Sequence, residues 1–274
     1  MTAAVNLNAT SGRADLGPGD GSRRGQSRLS TVQTVLEQKA KLTVDELATM
    51  LGVSAATVRR DLARLERQRV VIRSHGGAVW VGRDFETPVA SRAHSHTAEK
   101  RRIAARAAGL VGKGAVVGIT GGTTTMEVAR AISGREELTV VTNALNIGAE
   151  LAVRQNVRLV LTGGVARTAS FELSGPIAER TIRDYNLDIA FVGVDGVDPT
   201  AGFTTHNDLE ATTDGALVAR ATRVVVVADS TKIGRVKFAR ICDLERVDLF
   251  ITDTGATEEQ VIALREAGLE VDLA

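Results

Sequence analysis

The sequence predicts an α/β protein in two parts: a small N-terminal helical module that ends in a β-hairpin, and a larger, mostly parallel α/β domain. Three observations support this prediction. Apolar residues recur at helical spacing in the first part. A Gly-Gly pair then separates two short alternating runs, and beyond residue 97 short apolar strands alternate with amphipathic helices.

The composition is that of an intracellular globular protein with an uneven charge. Of 34 Lys and Arg and 33 Asp and Glu, residues 1–80 hold 12 and 7, which gives this part a net charge of +5 and the remainder −4. A basic module joined to a mildly acidic domain favours a nucleic-acid reader attached to a domain with another task. The single Cys242 excludes an intrachain disulfide. We expect a cytoplasmic protein with no membrane contact, since neither a transmembrane run nor a signal sequence is evident.

Residues 1–24 are rich in Gly, Ser, Ala and Arg and predict a disordered tail. Residues 25–81 predict three helices and a hairpin: an apolar helix face, a capping box that opens a short helix, and a Gly-containing turn into the third helix. The residues that mark these features are Arg28, Val32, Val35, Leu36, Thr43, Glu46, Leu47, Leu51 and Gly52. This is the order of a helix-turn-helix module.

The third helix has the composition of a DNA-recognition helix. Ser54 is a suitable N-cap, and Val58, Leu62 and Leu65 form an apolar stripe for a core. The opposite face is small at its start and cationic in the middle, so that it can approach base edges while arginines reach phosphate or guanine. The candidate DNA contacts on this helix are Ser54, Ala55, Thr57, Arg59 and Arg60, and Asp61 is expected to orient an arginine. Taken alone, the same pattern also fits a solvated basic face.

A hairpin follows the third helix and completes the module. Residues 70–80 predict a strand, a Gly-Gly turn at residues 76 and 77, and a second strand, which is the pattern of a wing. The wing adds Arg73 and His75 to the candidate DNA contacts, and Arg28 is a further candidate on the first helix. We therefore predict a winged helix-turn-helix domain over residues 25–81.

These residues resemble the signature of the DeoR-type bacterial transcriptional regulators. That signature is an Arg, two aliphatic residues at four-residue intervals, and then Ser-x-x-Thr-aliphatic-Arg-Arg-Asp-Leu. The matching residues are Arg28, Val32, Leu36, Ser54, Thr57, Val58, Arg59, Arg60, Asp61 and Leu62, and residues 75–78 look like the family's wing. Ten matches at fixed spacing make the resemblance specific.

Residues 82–97, which include Pro88, predict a linker. His94 and His96 lie in it, but further metal ligands are not nearby, so a solvated pair is expected rather than a metal site. Residues 98–274 predict the α/β domain. Its candidate strands are residues 115–119, 138–142, 158–161, 189–194, 223–228 and 249–252, and its candidate helices are residues 99–111, 124–132, 145–153, 176–184 and 208–221. The apolar strands indicate a mostly parallel sheet with both faces covered.

Five of these strands are followed at once by small or polar residues. The segments are residues 120–125, 142–143, 162–164, 195–196 and 229–232. Turn and capping requirements explain any one of them, but five at the carboxyl edge of one sheet favour a ligand pocket.

The residue types in these segments indicate a phosphorylated sugar or polyol as the ligand. A Gly-Gly-Thr-Thr sequence at a helix N-terminus offers amides, hydroxyls and the positive dipole end to a phosphate, while carboxylates and an amide suit sugar hydroxyls. The candidate effector-binding residues are Gly121, Gly122, Thr123, Thr124, Asn143, Gly163, Gly164, Asp195, Asp208, Glu210 and Lys232. No catalytic residues, cofactor or metal are expected.

The resemblance to the DeoR family continues from about residue 25 to the end of the chain. The second part resembles the family's sensor domain, which is similar to ribose-5-phosphate isomerase. The resemblance implies a homo-oligomer, a dimer or tetramer, that binds double-stranded operator DNA, usually as a repressor, and responds to a phosphorylated sugar. One departure stands out: the family usually places a Lys after Glu210-Ala211, and this chain has Thr212-Thr213-Asp214.

Two alternatives stay open at this stage. The chain can be a sugar-phosphate isomerase-like enzyme with an appended DNA-binding module, in which Asp195, Asp198 and Glu210 act as acid and base. It can also be a regulator whose second domain serves oligomerisation alone. Against the enzyme, an isomerase has no need of residues 28–80.

Overall fold

The computed structural model describes residues 20–39, 41–67, 71–74, 76–80 and 86–274. The helices are α1 (Asp20–Lys39), α2 (Val44–Leu51), α3 (Ala55–Arg67), α4 (Val89–Arg92), α5 (Thr97–Ala108), α6 (Thr123–Ile132), α7 (Leu145–Leu151), α8 (Pro176–Arg183), α9 (Asp208–Arg220) and α10 (Glu258–Glu266). The strands are β1 (Lys41–Thr43), β2 (Val71–Ser74), β3 (Gly77–Trp80), β4 (Val116–Ile119), β5 (Leu138–Thr142), β6 (Val157–Leu161), β7 (Val165–Ala166), β8 (Leu173–Ser174), β9 (Leu187–Val192), β10 (Gly196–Asp198), β11 (Gly202–Thr205), β12 (Ala221–Val227), β13 (Ala239–Cys242), β14 (Leu249–Thr252) and β15 (Val271–Leu273). Within these described ranges, every helix is too short or too polar to cross a bilayer.

The N-terminal module is a winged helix-turn-helix, as predicted. Helices α1 to α3 pack around an apolar centre, and β1, β3 and β2 form an antiparallel sheet in that order. The buried centre includes Val32, Leu36, Leu47, Val58, Leu62 and Leu65. The sequence did not predict β1, because three residues are too few to show a strand's alternation.

The larger domain is built on a parallel sheet of seven strands, in the order β15-β14-β12-β9-β4-β5-β6. Side chains alternate across it: Ile189 and Phe191 of β9 pack on one face, and Ala190 and Val192 pack on the other. Helices α5, α6 and α7 cover the first face, while α9 and α10 cover the second. Both faces of the sheet are therefore buried, as the apolar strands predicted.

The order of the strands places a crevice in the middle of the sheet. From β4 the chain adds β5 and β6 on one side, and it then adds β9, β12, β14 and β15 on the other. The direction of winding therefore changes between β4 and β9. In open parallel sheets, the carboxyl ends of the strands at this switch point form the usual ligand site.

The six predicted strands of the sheet are all present, with ends that differ by at most two residues. The sequence missed the edge strand β15 and the short antiparallel pairs that lie outside the main sheet. These missed strands, β7, β8, β10, β11, β13 and β15, have two to four residues each. Strands of this length have too little pattern to be distinguished from loops.

Two predicted boundaries differ from the observed elements. Helix α1 begins at Asp20, inside the segment assigned to the tail, and residues 1–19 lie outside the described residues. The predicted linker contains α4 and folds onto the larger domain, because Val89 is buried and its amide donates to the carbonyl of Ala169 at 2.7 Å. Residues 86–96 thus form part of the larger domain's surface.

Candidate functional site

The start of α3 is fixed by local hydrogen bonds. Gly52 adopts a left-handed conformation with φ 63°, which ends α2 and turns the chain. The Ser54 hydroxyl accepts from the amide of Thr57 at 3.2 Å and lies 2.9 Å from the Thr57 hydroxyl. Ser54 therefore caps α3, as the sequence predicted.

The basic face of α3 points to solvent. Arg59 and Arg60 are exposed, whereas Val58 and Leu62 on the opposite side are buried in the module's core. The candidate contacts at the start of this face, Ser54, Ala55 and Thr57, are exposed or half-buried. The helix can therefore present small residues and two arginines to a DNA groove without unfolding its core.

Arg28 is positioned differently from the other candidate DNA contacts. Its Nε donates to Asp61 Oδ2 at 2.6 Å, and its Nη2 donates to Asp61 Oδ1 at 3.2 Å. Asp61 does orient an arginine, as expected, and that arginine belongs to α1. The bidentate pair ties α1 to α3, so we assign Arg28 to positioning the recognition helix.

The wing is anchored by a close backbone approach. A Cβ on Gly77 would lie 2.1 Å from the carbonyl oxygen of Leu42, so only glycine fits between β1 and β3. Arg73 is exposed, with Nη1 3.4 Å from Glu66 Oε2. The candidate His75 lies outside the described residues.

A cavity of about 130 Å³ opens at the switch point of the parallel sheet, and we call it the strand-end pocket. It lies beyond the carboxyl ends of β4, β9 and β12. Seven of the candidate effector-binding residues line it: Gly121, Gly122, Thr123, Thr124, Asp195, Glu210 and Lys232. Three of the five predicted strand-end segments therefore contribute directly to one pocket.

Part of the pocket's lining is cationic. The Gly121-Gly122 loop leads into the N-terminus of α6, and Lys100 and Lys232 also line the cavity. Lys100 of α5 is buried, and its Nζ donates to the carbonyls of Arg92 at 3.0 Å and Ser95 at 2.6 Å. Burial lowers the pKa of Lys100 to about 8, so the amine stays mostly protonated at neutral pH.

Asp195 is the centre of a charged network in the pocket. Its Oδ1 accepts from Arg92 Nη1 at 2.5 Å and lies 3.4 Å from Lys232 Nζ, while its Oδ2 lies 2.8 Å from His206 Nδ1. Burial alone would raise the pKa of Asp195. The charges of Arg92 and Lys232 outweigh burial and hold this pKa well below its usual range. Asp195 is therefore an anion whose Oδ1 faces two cations, while its Oδ2 accepts from the Thr205 hydroxyl and contacts His206.

Glu210 lies in a second charged network, which includes Glu86 in the segment before α4. It accepts hydrogen bonds from Arg167 and Ser170, and the other end of the Arg167 guanidinium donates to Glu86 Oε2 at 2.6 Å. The Asn207 side chain caps α9 by accepting from the Glu210 amide at 3.2 Å. Arg167 thus bridges the segment before α4 and the start of α9.

Glu172 and Asp214 form a third, fully buried group. Asn143 Nδ2 donates to Glu172 Oε2 at 3.2 Å and to Asp214 Oδ1 at 3.1 Å. A Cβ on Gly121 would lie 2.1 Å from Glu172 Oε1, so the carboxylate can approach the loop only because residue 121 is glycine. Burial raises the pKa of both Glu172 and Asp214 well above the usual range, and neighbouring carboxylates add to it: Asp214 and Glu210 for Glu172, and Glu210 and Asp195 for Asp214.

The pocket is also lined by the N-terminal module. Four residues of this module contribute to its wall: Ser30, Gln33 and Thr34 of α1, and Trp80 of β3. Gln33 Nε2 donates to Thr87 Oγ1 at 3.1 Å, which joins α1 to the segment before α4. A molecule in the pocket would therefore lie against both parts of the chain.

Both domains of the chain match models of known protein families. Residues 28–83 match the model of the DeoR-like helix-turn-helix domain, and residues 95–254 match that of the DeoR C-terminal sensor domain. The chain belongs to the DeoR family.

Relatives of the DeoR family match nearly the whole chain. The putative aga operon transcriptional repressor of Escherichia coli O157:H7 is 36% identical over 87% of this chain and 90% of its own length. The transcriptional regulator GlpR of Haloferax volcanii is 39% identical over 83% and 89%, and the glycerol-3-phosphate regulon repressor of Escherichia coli K12 is 29% identical over 87% and 95%. These relatives are named as regulators and repressors, so the protein is a DNA-binding transcriptional regulator and the isomerase-like alternative is not supported.

Two groups of solved structures are similar to parts of the chain. Ribose 5-phosphate isomerase A of Methanocaldococcus jannaschii has a TM-score of 0.38 at 22% identity, over 50% of this chain and 55% of that chain. The sorbitol operon regulator SorC of Klebsiella pneumoniae has a TM-score of 0.35 at 13% identity, over 78% and 91%.

Four candidate effector-binding residues of this DeoR-family chain do not line the pocket. Asn143 lies behind it and holds two carboxylates. Gly163 and Gly164 face the start of α8, where a Cβ on Gly163 would lie 2.8 Å from Ile177 and one on Gly164 would lie 2.8 Å from the Ser174 carbonyl. Asp208 is exposed in the first turn of α9. Packing and helix capping account for the residue types at these positions.

The sequence also missed residues that the fold brings into the pocket or its networks. They are Glu86, Arg92, Lys100, Arg167, Ser170, Glu172, His206 and Asp214. Asp214 had a detectable signal, since it stands one helical turn after Glu210 on the face of α9 that also buries Leu217 and Val218. Asp214 is the one residue of the departure Thr212-Thr213-Asp214 that lines the pocket, whereas Thr212 is exposed.

Proposed function

We propose that this DeoR-family regulator represses genes of sugar or polyol metabolism and that a phosphorylated sugar or polyol in the strand-end pocket changes its affinity for operator DNA. The observation that carries the proposal is the shared wall of the pocket, to which α1, the wing and the sensor domain all contribute. A ligand bound there contacts the DNA-binding module and the sensor together.

The chemistry of the pocket supports a phosphorylated ligand. The loop before α6 lines the cavity at a helix N-terminus, where the helix dipole favours an anion, and Lys100 and Lys232 of the lining add positive charge. Asp195 and Glu210 supply acceptors for hydroxyl groups. A ligand whose phosphate lies at the loop before α6 and the two lysines, and whose hydroxyls lie toward the carboxylates, satisfies both the cationic and the anionic groups.

The segment of residues 86–96 is the proposed connection between the pocket and the DNA-binding module. It is held by Arg92 on Asp195, by Glu86 on Arg167 and by Thr87 on Gln33 of α1. Hydroxyls that bind Asp195 or Glu210 compete with these contacts. Effector binding therefore favours an arrangement of residues 86–96 in which these contacts are changed. Operator affinity then changes if DNA binds more tightly to one of the two arrangements.

We further propose which groups contact DNA. Ser54, Ala55, Thr57, Arg59 and Arg60 of α3 enter the major groove, while Arg73 and His75 of the wing contact the backbone or the adjacent groove. Operators with two-fold symmetry require an even number of recognition helices, so we propose a homodimer or homotetramer. Analytical ultracentrifugation of the full chain, alone and on DNA, measures this directly.

The experiment that tests the proposal is fluorescence anisotropy on labelled DNA from the gene's own upstream region, with and without a panel of phosphorylated sugars and polyols. We expect saturable, salt-sensitive binding that one member of the panel alters. The double variant Thr123→Ala with Lys232→Ala should bind the DNA but lose the response, because both changes remove phosphate-binding groups.

Lys113→Ala is the matched control, since Lys113 is an exposed lysine whose ion pairs are with Glu136 and Glu137. DNA binding that no phosphorylated compound alters would contradict the effector half of the proposal. A double variant that responds like the wild type would contradict the assigned pocket.

A further inference from the structure

Two carboxylates in the wall of the strand-end pocket lack a cationic partner within the described part of the chain. Glu172 is 5% exposed and Asp214 is 3% exposed. The ion pairs of the pocket use other acids: Arg92 and Lys232 contact Asp195, and Arg167 contacts Glu86 and Glu210. Arg92, Lys232 and Arg167 therefore pair with other acidic groups, and Lys100 donates to two backbone carbonyls.

A pair of buried carboxylates without a counter-charge is unfavourable for the empty protein. An ionised carboxylate away from water needs an opposite charge or several hydrogen-bond donors, and two such groups also repel each other. The donor that Glu172 and Asp214 share is Asn143 Nδ2. Burial and the charges of neighbouring carboxylates raise the pKa of both groups, which is the same imbalance expressed as proton affinity.

The side chain of Asn143 supplies an independent sign of a missing partner. Asn143 is fully buried, and its carboxamide nitrogen reaches the two carboxylates, yet its Oδ1 accepts no hydrogen bond from the described residues. A buried amide oxygen normally has a donor. One cluster therefore contains two carboxylates and an unsatisfied carbonyl-type acceptor, and what it lacks is a cationic group with several donors.

The complement of this cluster is an ammonium group, which carries one positive charge and three N–H donors. A metal ion is the weaker fit, because no set of three or more acidic, His or Cys side chains in the described ranges is arranged to hold one. Lys100, Lys232 and the loop before α6 line the same pocket and supply positive charge and backbone amides. The pocket thus offers groups for an anion as well as for a cation.

We propose that the effector is a phosphorylated amino sugar with a free amine, whose phosphate lies at the loop before α6 and whose ammonium lies against Glu172 and Asp214. This inference rests on the proposed function and specifies the ligand of the same pocket. It distinguishes the free amine from the N-acetylated sugar, because acetylation removes the charge and two of the three donors.

The test is isothermal titration calorimetry on the full chain with matched pairs of ligands: glucosamine 6-phosphate against glucose 6-phosphate, and galactosamine 6-phosphate against galactose 6-phosphate. N-acetylglucosamine 6-phosphate is included as the uncharged nitrogen compound. We expect the free amine of at least one pair to bind about tenfold more tightly than its neutral partners at pH 7, as a charge-assisted contact should.

The variants Glu172→Gln and Asp214→Asn test the site itself. Each should weaken the amino sugar about tenfold while it changes the neutral sugar by about twofold or less, because each removes a negative charge and keeps the shape. Glu259→Gln, an exposed change in the first turn of α10, is the matched control and should keep the wild-type preference. Thermal melting identifies a variant that fails to fold. If a variant does not fold, the matched ligand pairs on the wild-type protein still show whether the amino sugar is preferred.

The outcomes separate this inference from the proposed function. Neutral phosphosugars that bind as tightly as their amino partners would overturn the inference and leave the proposed function in place, with protonated carboxyl groups donating to hydroxyls. A preference for the amine that survives both variants would overturn the assigned position. If no phosphorylated sugar binds, the inference and the proposed effector fall together.

Discussion

The recognition helix and the strand-end pocket use charged residues in opposite ways. On α3, Arg59 and Arg60 are exposed, and their neighbours on the same face are small. In the pocket, Arg92 contacts Asp195 across 103 residues of sequence, and Arg167 joins Glu86 to Glu210. DNA brings its own charge to an open surface, whereas a small ligand needs groups that the fold already holds in place.

This difference separates two kinds of mutational effect. On the proposed DNA contacts, removing an exposed arginine of α3 should weaken DNA binding and leave the fold unchanged. Removing a charge from the pocket leaves its partner buried and uncompensated, so stability changes before any ligand is added.

Arg92→Ala should have the largest effect. It leaves the Asp195 carboxylate, 9% exposed, without its shortest ion-pair partner, and breaking a buried pair costs about 3–5 kcal/mol of the free energy of unfolding. Urea unfolding followed by circular dichroism measures the loss. The double variant Arg92→Met with Asp195→Asn should recover most of it, and a single variant as stable as the wild type would show that the pair contributes nothing.

Arg60→Ala should weaken operator binding by about 1–3 kcal/mol if the arginine reads a base, with an unchanged melting temperature. If Arg60 contacts phosphate instead, affinity falls alike on specific and random DNA. Anisotropy on both DNAs distinguishes these cases, with Lys113→Ala as the control. Affinity unchanged on every DNA would remove Arg60 from the recognition surface.

Asp214→Asn should stabilise the empty protein by about 1–2 kcal/mol near pH 8, because it removes a buried carboxylate charge. The unfolded chain ionises this group near pH 4, about its ordinary pKa. The raised pKa in the folded state means that the folded chain holds the proton to higher pH, so stability falls as pH rises through that window. The gain should therefore shrink at pH 5, where the wild type keeps the proton. Melting curves at the two pH values measure it, and an equal gain at both would contradict the assigned charge.

Arg28→Ala should have the smallest effect, a loss of about 0.5–1 kcal/mol of stability, since the pair with Asp61 is partly exposed, with 26% of the arginine side chain accessible. If Arg28 positions α3 as the structure indicates, the salt dependence of DNA binding should keep the wild-type slope. A slope reduced by about one unit would instead restore Arg28 to the phosphate contacts.

The same contrast explains what the sequence predicted and what it did not. The winged helix and the six main strands follow from local patterns, such as the Thr43–Glu46 capping box and the apolar stripe of α3. The loop before α6, Asp195, Glu210 and Lys232 follow from the rule for strand ends. Glu172, Arg167 and Arg92 could not be predicted, because the hydrogen bonds of their side chains to Asn143, Glu210 and Asp195 span 29, 43 and 103 residues, and nothing near them in sequence marks the partner.

The fastening of residues 86–96 to the larger domain has a consequence for building chimeric regulators. A graft whose junction lies at the end of the predicted linker, after residue 97, would exchange Glu86 and Arg92 together with the DNA-binding module. It would so break the pairs with Arg167 and Asp195. A junction placed before Glu86 keeps these pairs with their own sensor. The module that is exchanged to change DNA specificity should therefore end at the wing, and residues 86–96 should stay with their own sensor domain.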